Sequence, residues 1–309
     1  MRSSKRKSPL LTHQPFSREK TLFLSMFLAC FLFLNLSACA TIGSLSSETK
    51  TPPNDPETDQ LILRGDTYRE RGELRQANMQ YEQALKKRPN DPAIIYKIGL
   101  ISLASDRKDD AMKDFNKAVS ISPDFAPAYE GIGDVLFRKG DMDKAHESFQ
   151  KALSLNPTLW NCHNKMGLIY DRRGKHDQAI QEYHLAISLQ PQNGSIFNNL
   201  GVSYTYNRQY DAAIIAFNRA IDLHFADKKV YNNLALALGN AERYDAALEA
   251  FRKSGSEAQA LNNMGVVYLN KRLYPQAIQS FEKAIALEPT FYVTAGENLK
   301  KARLALEQQ

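Results

Sequence analysis

Residues 160–193 and 194–227 read WNCHNKMGLIYDRRGKHDQAIQEYHLAISLQPQN and GSIFNNLGVSYTYNRQYDAAIIAFNRAIDLHFAD, and the two segments align over 34 positions without a gap. Glycine, alanine and aromatic residues recur at this step along most of the chain. They are Gly65, Gly99, Gly133, Gly167, Gly201; Ala77, Ala111, Ala145, Ala179, Ala213, Ala247, Ala277; and Tyr81, Phe115, Phe149, Tyr183, Phe217, Phe251, Phe281. A fixed period of this length indicates a stack of similar structural units.

The period is interrupted once. Ala235 takes the glycine position of the sixth unit, and Gly265 follows it after only 30 residues. We expect the second helix of this unit to stop at Gly255, because Ser256 and Gln259 have the spacing of a capping box for the next helix. The sixth unit is therefore four residues short, and we expect the seventh unit to stack on it differently.

Each unit contains two short amphipathic helices. In residues 58–91, Leu61, Gly65 and Tyr68 share one helical face, and Pro89 ends the second helix. The pattern L-x3-G-x2-Y…A-x3-Y-x2-A…P resembles the tetratricopeptide repeat (TPR). The resemblance implies an all-α fold, a TPR solenoid in which helix pairs form a right-handed superhelix, with a C-terminal capping helix that covers the last hydrophobic surface.

The chain accordingly divides into four parts. The resemblance of residues 36–39, Leu-Ser-Ala-Cys, to the bacterial lipobox implies that residues 1–38 are a lipoprotein signal peptide and 39–57 a lipidated cysteine with a flexible Ser/Thr/Pro-rich tether. We expect the seven repeats in 58–291 and the capping helix in 292–309. The repeats cover 58–91, 92–125, 126–159, 160–193, 194–227, 228–257 and 258–291.

The N-terminus has the features of an export signal. Residues 21–36, TLFLSMFLACFLFLNL, are apolar but shorter than the about 20 residues that a membrane span needs. Residues 36–39, Leu-Ser-Ala-Cys, resemble the bacterial lipobox. The resemblance implies that Cys39 receives diacylglycerol and an N-acyl chain as the new first residue, and that Ala40 directs sorting to the outer membrane. The alternative is an uncleaved anchor with the array still outside the cytoplasm.

Charge and motifs exclude several function classes. Six of the 40 basic residues and one of the 34 acidic residues lie in 1–38, which leaves 34 and 33 and a nearly neutral mature chain. The basic pI therefore gives no support for a nucleic-acid partner. The sequence contains no nucleophile elbow, phosphate loop or metal-binding spacing. We expect no enzyme activity, no small-molecule substrate and no cofactor other than the acyl chains on Cys39.

The partner-binding surface is inferred from the TPR resemblance. In TPR families, defined positions of each first helix line a concave groove that holds a protein partner. Those positions carry an Asn-Asn pair in three successive repeats. The predicted groove residues are Asn164, Lys165, Arg172, Asn198, Asn199, Tyr206, Asn232, Asn233, Asn262, Asn263 and Asn270. A row of amides can hold the main chain of an extended peptide with little sequence selectivity. The alternative is that the amides bridge neighbouring helices.

The first three repeats have a more apolar groove. Their residues at the same positions include Ile62, Leu63, Tyr96, Leu100, Leu103 and Phe137. This surface suits an amphipathic helix or an apolar peptide. The alternative is that these side chains pack against neighbouring parts of the chain.

The whole architecture resembles the TPR lipoprotein of tight-adherence (Tad/Flp) pilus assembly systems, the TadD type. The shared features are a lipobox, an array covering the mature chain, and a shortened repeat leading into an Asn-Asn-hydrophobic-Gly run, here residues 252–265, RKSGSEAQALNNMG. The resemblance implies a periplasm-facing scaffold, lipid-anchored in the inner leaflet of the outer membrane. Its partners would be the pilus secretin or other assembly components. The alternative is an envelope adaptor that docks peptidoglycan-modifying enzymes.

Overall fold

The computed structural model describes residues 55–288 and 292–308, and within these ranges the regular structure is entirely α-helical. Fifteen helices follow one another in these ranges. They are α1 Pro56–Glu70, α2 Leu74–Lys87, α3 Pro92–Ala104, α4 Lys108–Ile121, α5 Ala126–Lys139, α6 Met142–Leu155, α7 Trp160–Arg172, α8 His176–Leu189, α9 Gly194–Tyr206, α10 Tyr210–Asp222, α11 Lys228–Asn240, α12 Tyr244–Ser254, α13 Glu257–Asn270, α14 Tyr274–Leu287 and α15 Tyr292–Glu307.

The helices pack as a TPR solenoid, each with its neighbours in sequence, as the period predicted. First helices of successive repeats also touch, in the pairs α3–α5, α7–α9, α9–α11, α11–α13 and α13–α15. The surface formed by the first helices, α1 to α13 in odd numbers, is called the inner face below.

Glycines of the first helices permit the close approach of the buried aromatic rings of the second helices. A Cβ atom on Gly201 would lie 2.7 Å from a ring carbon of Phe217, which is closer than Cβ atoms approach other heavy atoms in proteins. The ring of Phe115 contacts both Gly99 of its own repeat and Gly131 of the next, where an added Cβ would lie 2.7 Å away. The aromatic series therefore joins helices within a repeat and between repeats.

The turn between the two helices of every repeat contains one residue with positive φ. In repeats one, three and four it is glycine, whereas the other four repeats place a residue with a side chain there. The seven residues are Gly72, Asp106, Gly140, Gly174, Arg208, Glu242 and Arg272. Their spacing follows the 34-residue period and its single shortening. Only glycine adopts this left-handed conformation without steric cost.

The shortened repeat is accommodated in its second helix. α12 has 11 residues and ends at Ser254, with Gly255 in an extended conformation. Ser256 Oγ accepts a hydrogen bond from the Gln259 backbone N–H at 3.3 Å, and Gln259 Oε1 accepts one from the Ser256 N–H at 3.1 Å. The capping box predicted from the sequence is therefore present, and it starts α13 immediately after the missing turn.

The two ends of the array are also closed by local interactions. The predicted tether ended at residue 57, but α1 already begins at Pro56, because Asp55 accepts the Glu57 N–H and proline is favoured in a first turn. At the other end, Ala302 of α15 is buried against Phe281.

The signal segment, Cys39 and the tether up to residue 54 lie outside the described residues. Among the helices that are described, none is long and apolar enough to cross a membrane.

Candidate functional site: an amide row on the inner face

Asn164 of repeat four and the asparagine pairs of repeats five to seven form a row of hydrogen bonds along the inner face. Asn199 Nδ2 donates to Asn164 Oδ1 at 3.0 Å, joining α9 to α7. Asn233 Nδ2 donates to Asn198 Oδ1 at 3.4 Å, joining α11 to α9. Each bond runs from the second asparagine of one repeat to the first asparagine of the preceding repeat. The row is called the amide row below.

The amide row continues across the shortened repeat. Asn263 Nδ2 donates to Asn232 Oδ1 at 3.4 Å, and Asn298 of α15 donates to Asn262 Oδ1 at 3.1 Å. Residues 232 and 263 are four positions closer in sequence than 198 and 233, yet they form the same bond. The change in stacking that we expected after repeat six therefore does not reach this pairing, because the missing residues come from the outer helix.

The inter-repeat bonds leave most of the hydrogen-bonding capacity of the amides unused. A side-chain amide has two N–H donors and two acceptor lone pairs, and one bridge uses one of these four positions. Asn164 and Asn262 are buried, whereas Asn199, Asn233 and Asn263 are half-buried and reach solvent. The structure thus brings the predicted pairs together as helix bridges, and the geometry leaves them able to bind a main chain as well.

An aliphatic row runs beside the amide row, one helical turn further along each first helix. Its members lie four residues after the first asparagine of each pair, which places them on the same helix face. They are Leu168, Val202, Leu236 and Val266. The predicted groove residues of a third column lie four residues further along the same helices. They are Arg172, Tyr206, Asn240 and Asn270. Sequence reasoning found the first and third of these columns and missed the aliphatic one, although its spacing of i+4 from the asparagines was visible.

A cavity of about 170 Å³ opens between α9 and α11, where the amide and aliphatic rows meet. Its lining comes from both repeats and includes one ring of the buried aromatic series. The lining residues are Val202, Thr205, Tyr206, Phe217, Asn233, Leu236 and Asn240. The exposed fraction of Tyr206 is 68%, which is high for a large aromatic residue that lines a cavity.

A part-buried hydrogen-bond cluster lies next to Tyr206 and supports one face of its ring. Asp171 accepts hydrogen bonds from Ser203 Oγ at 2.8 Å and from the Tyr183 hydroxyl at 2.9 Å, and the His176 ring nitrogen lies 3.0 Å from it. The His176 ring in turn stacks on Tyr206, with centroids 5.3 Å apart and planes 12° from parallel. Burial, and then the adjacent Asp171, raises the pKa of the Tyr183 phenol, so that it stays a donor.

The inner face of the first four repeats is held together by charged groups instead. Lys97 Nζ of α3 lies 2.6 Å from Asp66 of α1, and Lys165 Nζ of α7 lies 3.5 Å from Asp134 of α5. Burial would raise the pKa of Asp66, but hydrogen bonds from Lys97 and Tyr81 outweigh it, and the pKa is lowered.

Glu130 of α5 is a half-buried acidic group in this region. Its carboxylate accepts a hydrogen bond from Asn161 Nδ2 at 2.8 Å. Burial nevertheless raises its pKa above the ordinary glutamate value. Lys165, predicted as a groove residue, is thus engaged by Asp134, and its Nζ also lies 5.0 Å from the Phe137 ring centroid.

The apolar groove residues of the first three repeats are mostly packed. Leu103 is buried, and Tyr96 packs edge-on against Phe125. Arg172, which is exposed, lies over the Phe137 ring at 4.5 Å. Leu63 alone among the six is strongly exposed, at 66%. These side chains therefore offer little continuous apolar surface to a partner.

Comparisons with known proteins place the fold among repeat proteins. Residues 35–259 match the family model described as "Cilia and flagella-associated protein 70 C-terminal domain", a TPR model, and residues 258–291 match the model "Tetratricopeptide repeat". The curated "Tetratricopeptide repeat and J domain-containing co-chaperone DNJ1" of Fusarium oxysporum f. sp. lycopersici is 28% identical over 116 residues. That match covers 36% of this chain and 22% of the relative, so it spans about a fifth of the relative's length.

Several solved structures share the fold. The APC/C hetero-tetramer Cut9-Hcn1 has a TM-score of 0.59 and 22% identity, over 81% of this chain and 49% of that chain, about half of its length. Pseudomonas aeruginosa pilF has a TM-score of 0.51 and 21% identity, over 65% and 94%. YrrB, described as a TPR protein with an unusual peptide-binding site, has a TM-score of 0.51 and 24% identity, over 60% and 97%. At these identities the likeness shows the fold alone.

Proposed function

This chain belongs to the tetratricopeptide-repeat family of the "Cilia and flagella-associated protein 70 C-terminal domain", and on that premise we propose that its amide row holds an extended segment of a protein partner. TPR arrays are scaffolds for protein–protein interaction, so a protein partner follows from the fold. Where on the array the partner lies, and in what conformation, is the content of the proposal.

The observation that carries the proposal is the spare capacity of the amide row. Three successive repeats present an asparagine pair, and each pair uses one amide position in a bridge to the preceding repeat. In repeat seven Asn262 Nδ2 also donates to Asn263 Oδ1 at 3.5 Å, so the pairs of repeats five and six keep more unused positions. The bridges fix the rotamers of the amides, so a bound peptide would not have to order them. The remaining donors and acceptors match those of a main chain, which repeats one N–H and one C=O per residue.

The amide row favours a strand-like ligand over a helical one. A helix satisfies its own backbone groups internally and offers only side chains to a groove. An extended segment leaves its backbone groups free, so it can bind to regularly spaced amides with little dependence on side-chain sequence. Selectivity then has to come from neighbouring surfaces of the inner face.

We further propose where this scaffold works. The lipobox at residues 36–39 supports a lipid anchor on Cys39, and Ala40 supports a position on the periplasmic side of the outer membrane. The run of residues 252–265 supports a role in assembly of a Tad/Flp-type pilus or its secretin. Two or more acyl chains anchor a protein stably, since each buried CH₂ contributes about 0.8 kcal/mol.

The partner can be identified by photo-crosslinking in living cells. Benzoylphenylalanine would replace Tyr206 or Asn270, both exposed on the inner face, and in a control would replace Ile215, exposed on α10. We expect both inner-face positions to trap the same protein, a secretin or another pilus component, and Ile215 not to trap it. Trapping of a peptidoglycan-modifying enzyme would support the adaptor alternative. The same protein trapped equally at Ile215 would contradict a specific inner-face site.

Two further tests address the envelope role. A deletion strain should lose surface pili and secretin multimers, and normal levels of both would contradict the pilus proposal.

Cys39→Ser should leave a protein that no longer partitions into the detergent phase. Unchanged partitioning would instead show that residues 21–36 themselves act as the anchor.

A further inference from the structure

We infer that the cavity between α9 and α11 receives one aliphatic side chain of the partner and so sets the selectivity that the amide row lacks. The inference rests on the proposed function, because it requires an extended peptide on the inner face. It adds a specific ligand class, a leucine, isoleucine or valine at one fixed position of that peptide.

The size of the cavity fits one such side chain. Its volume is about 170 Å³. A cavity of about 150 Å³ lined by apolar side chains stays dry and binds benzene. A branched aliphatic side chain is of comparable size.

The lining excludes charge. Val202, Phe217 and Leu236 supply apolar walls, and the other lining groups are hydroxyls and amides that are uncharged at neutral pH. A charged side chain placed here would lose water without gaining an opposite charge, which is costly. One repeat earlier the residue equivalent to Tyr206 is Arg172, whose guanidinium lies over the Phe137 ring, so the preceding seam lacks the aromatic wall of this cavity.

The cavity is continuous with the amide row. Asn233 both lines the cavity and donates to Asn198, while Leu236 lies within one helical turn of the asparagine pair. A main chain bound to the amides would therefore present one of its alternating side chains towards α11. Asn233 and Leu236 would therefore position both the main chain of the bound peptide and the side chain that enters the cavity.

The aromatic wall is held in place before any ligand arrives. The ring of Tyr206 stacks on His176, and His176 is positioned by Asp171. Asp171 is itself fixed by Ser203 of α9, so the wall spans two repeats. A wall that is already ordered lowers the entropic cost of binding, which favours a specific anchor over loose hydrophobic contact.

The test is a selection of random nonapeptides displayed on phage against the purified full-length chain in detergent. We expect the enriched peptides to carry leucine, isoleucine or valine at one common position. In fluorescence anisotropy, replacing that residue by lysine in a synthetic enriched peptide should weaken binding at least about tenfold, which is the typical discrimination of an apolar pocket.

Two variants connect this preference to the cavity. Leu236→Trp fills the opening, and selection on this variant should still enrich peptides but without the aliphatic position. Ile215→Trp places the same bulk on α10, where the residue is 70% exposed, and should retain the preference. Thermal melting of both variants checks that they are folded, and Tyr206→Ala, which removes the wall, gives a second loss of preference should Leu236→Trp not fold.

The outcomes separate the two proposals. Peptides that bind wild type through the amide row but show no aliphatic preference, or a preference that survives in both cavity variants, would overturn the cavity inference alone. Failure of the wild-type chain to enrich any peptide would overturn the peptide groove and the cavity together.

Discussion

A lysine pairs with an aspartate of the preceding first helix at two contacts between repeats, one joining repeats one and two and the other joining repeats three and four. At the last three contacts between repeats, the same inner face is joined by hydrogen bonds between asparagine side chains. Each contact between successive repeats is called a seam below. Lys97 and Lys165 occupy the helix position that is held later by Asn199, Asn233 and Asn263. The partner differs too, because the lysines reach an aspartate one turn away from the residue that the asparagines contact. One position in the repeat thus makes two kinds of seam.

The two kinds of seam differ in what they leave for a ligand. An ion pair is satisfied only while the two charges face each other, so a ligand that engages one of them must compete with its partner. A bridged amide keeps unused donors and acceptors, so a ligand can bind without breaking the seam. The comparison indicates that two of the three seams within the first four repeats are lysine–aspartate pairs. The amides of repeats four to seven join the repeats and keep capacity for the ligand proposed above.

The largest stability effect should come from breaking a charged seam. Lys165→Met leaves Asp134 without its cation, and both side chains are largely buried, with exposed fractions of 22% and 19%. We expect a loss of about 2 kcal/mol in the free energy of unfolding, below the roughly 3–5 kcal/mol of fully buried pairs because neither group is fully buried.

The control for this substitution is Lys139→Met, which removes a comparable pair from the surface. Asp109, its partner, is 93% exposed. Such exposed pairs are screened by solvent and contribute little, so denaturant unfolding should show little change. Equal losses in the two variants would contradict the assignment of the Lys165 seam as a structural one.

Stability near the charged seams should also depend on pH in a way that the amide row does not. Burial raises the pKa of Glu130, so the folded chain favours the protonated carboxyl. This contribution is fully present below the unfolded glutamate pKa of about 4.3 and is lost as pH rises through the higher folded value. Glu130→Gln, which can still accept from Asn161, should match wild type below that range and become relatively more stable above it.

Urea unfolding of wild type and Glu130→Gln, at pH values from below about 4.3 up to neutral, measures this difference in the free energy of unfolding. Asn198→Gln, a change within the amide row, should show a difference from wild type that is the same at every pH. A Glu130→Gln difference that is also independent of pH would contradict the role of burial at this carboxyl.

The smallest effect on stability should come from the turns between the two helices of each repeat. Their positive-φ residue is glycine in three of the first four repeats and has a side chain in each of the last three. Glu242 has φ of 63°, where repeats one, three and four have glycine. Glu242→Gly relieves the left-handed conformation but gives the unfolded chain more freedom, so we expect a net gain of about 0.5 kcal/mol. The reverse change, Gly140→Ala at φ of 86°, should lower stability, and thermal melting of both compares them. Glu242 Oε1 also lies 3.2 Å from Lys271 Nζ, but the pair is exposed and contributes little to stability. A loss of stability in Glu242→Gly would therefore contradict a steric cost at this turn.

Much of the fold could be predicted from the sequence because a period fixes it. The glycine and aromatic series gave the helix pairs, and the capping box at Ser256 marked the exact place where α13 starts. The start of α15 at Tyr292 also agrees with the capping helix predicted over residues 292–309. These features are local or periodic, so each can be recognised without knowing which residues meet in space.

The site was less accessible to the same reasoning. The asparagine pairs stood out, but whether they bridge helices depends on how repeats stack, and spacing in sequence does not report that: the bridges span 35 residues at one seam and 31 at another. The cluster of Asp171, His176 and Ser203 joins two repeats through residues that belong to no series. These contacts occur only between repeats four and five, so no recurring residue type in the sequence reveals them.

The central claim is that the amide row binds a peptide main chain in addition to bridging repeats. The double variant Asn198→Asp and Asn232→Asp separates the two roles, because each aspartate can still accept the bridge from Asn233 or Asn263 but has lost its N–H donors. Asn218→Asp, on the exposed side of α10, is the matched control for added charge.

Anisotropy titration of an uncharged peptide selected on the full-length chain is the most direct measurement. With about 1 kcal/mol for each of two lost hydrogen bonds, the double variant should bind about 30-fold more weakly, while its melting temperature stays near that of Asn218→Asp. Unchanged affinity in the double variant, with the control also unchanged, would show that the asparagines only join the helices.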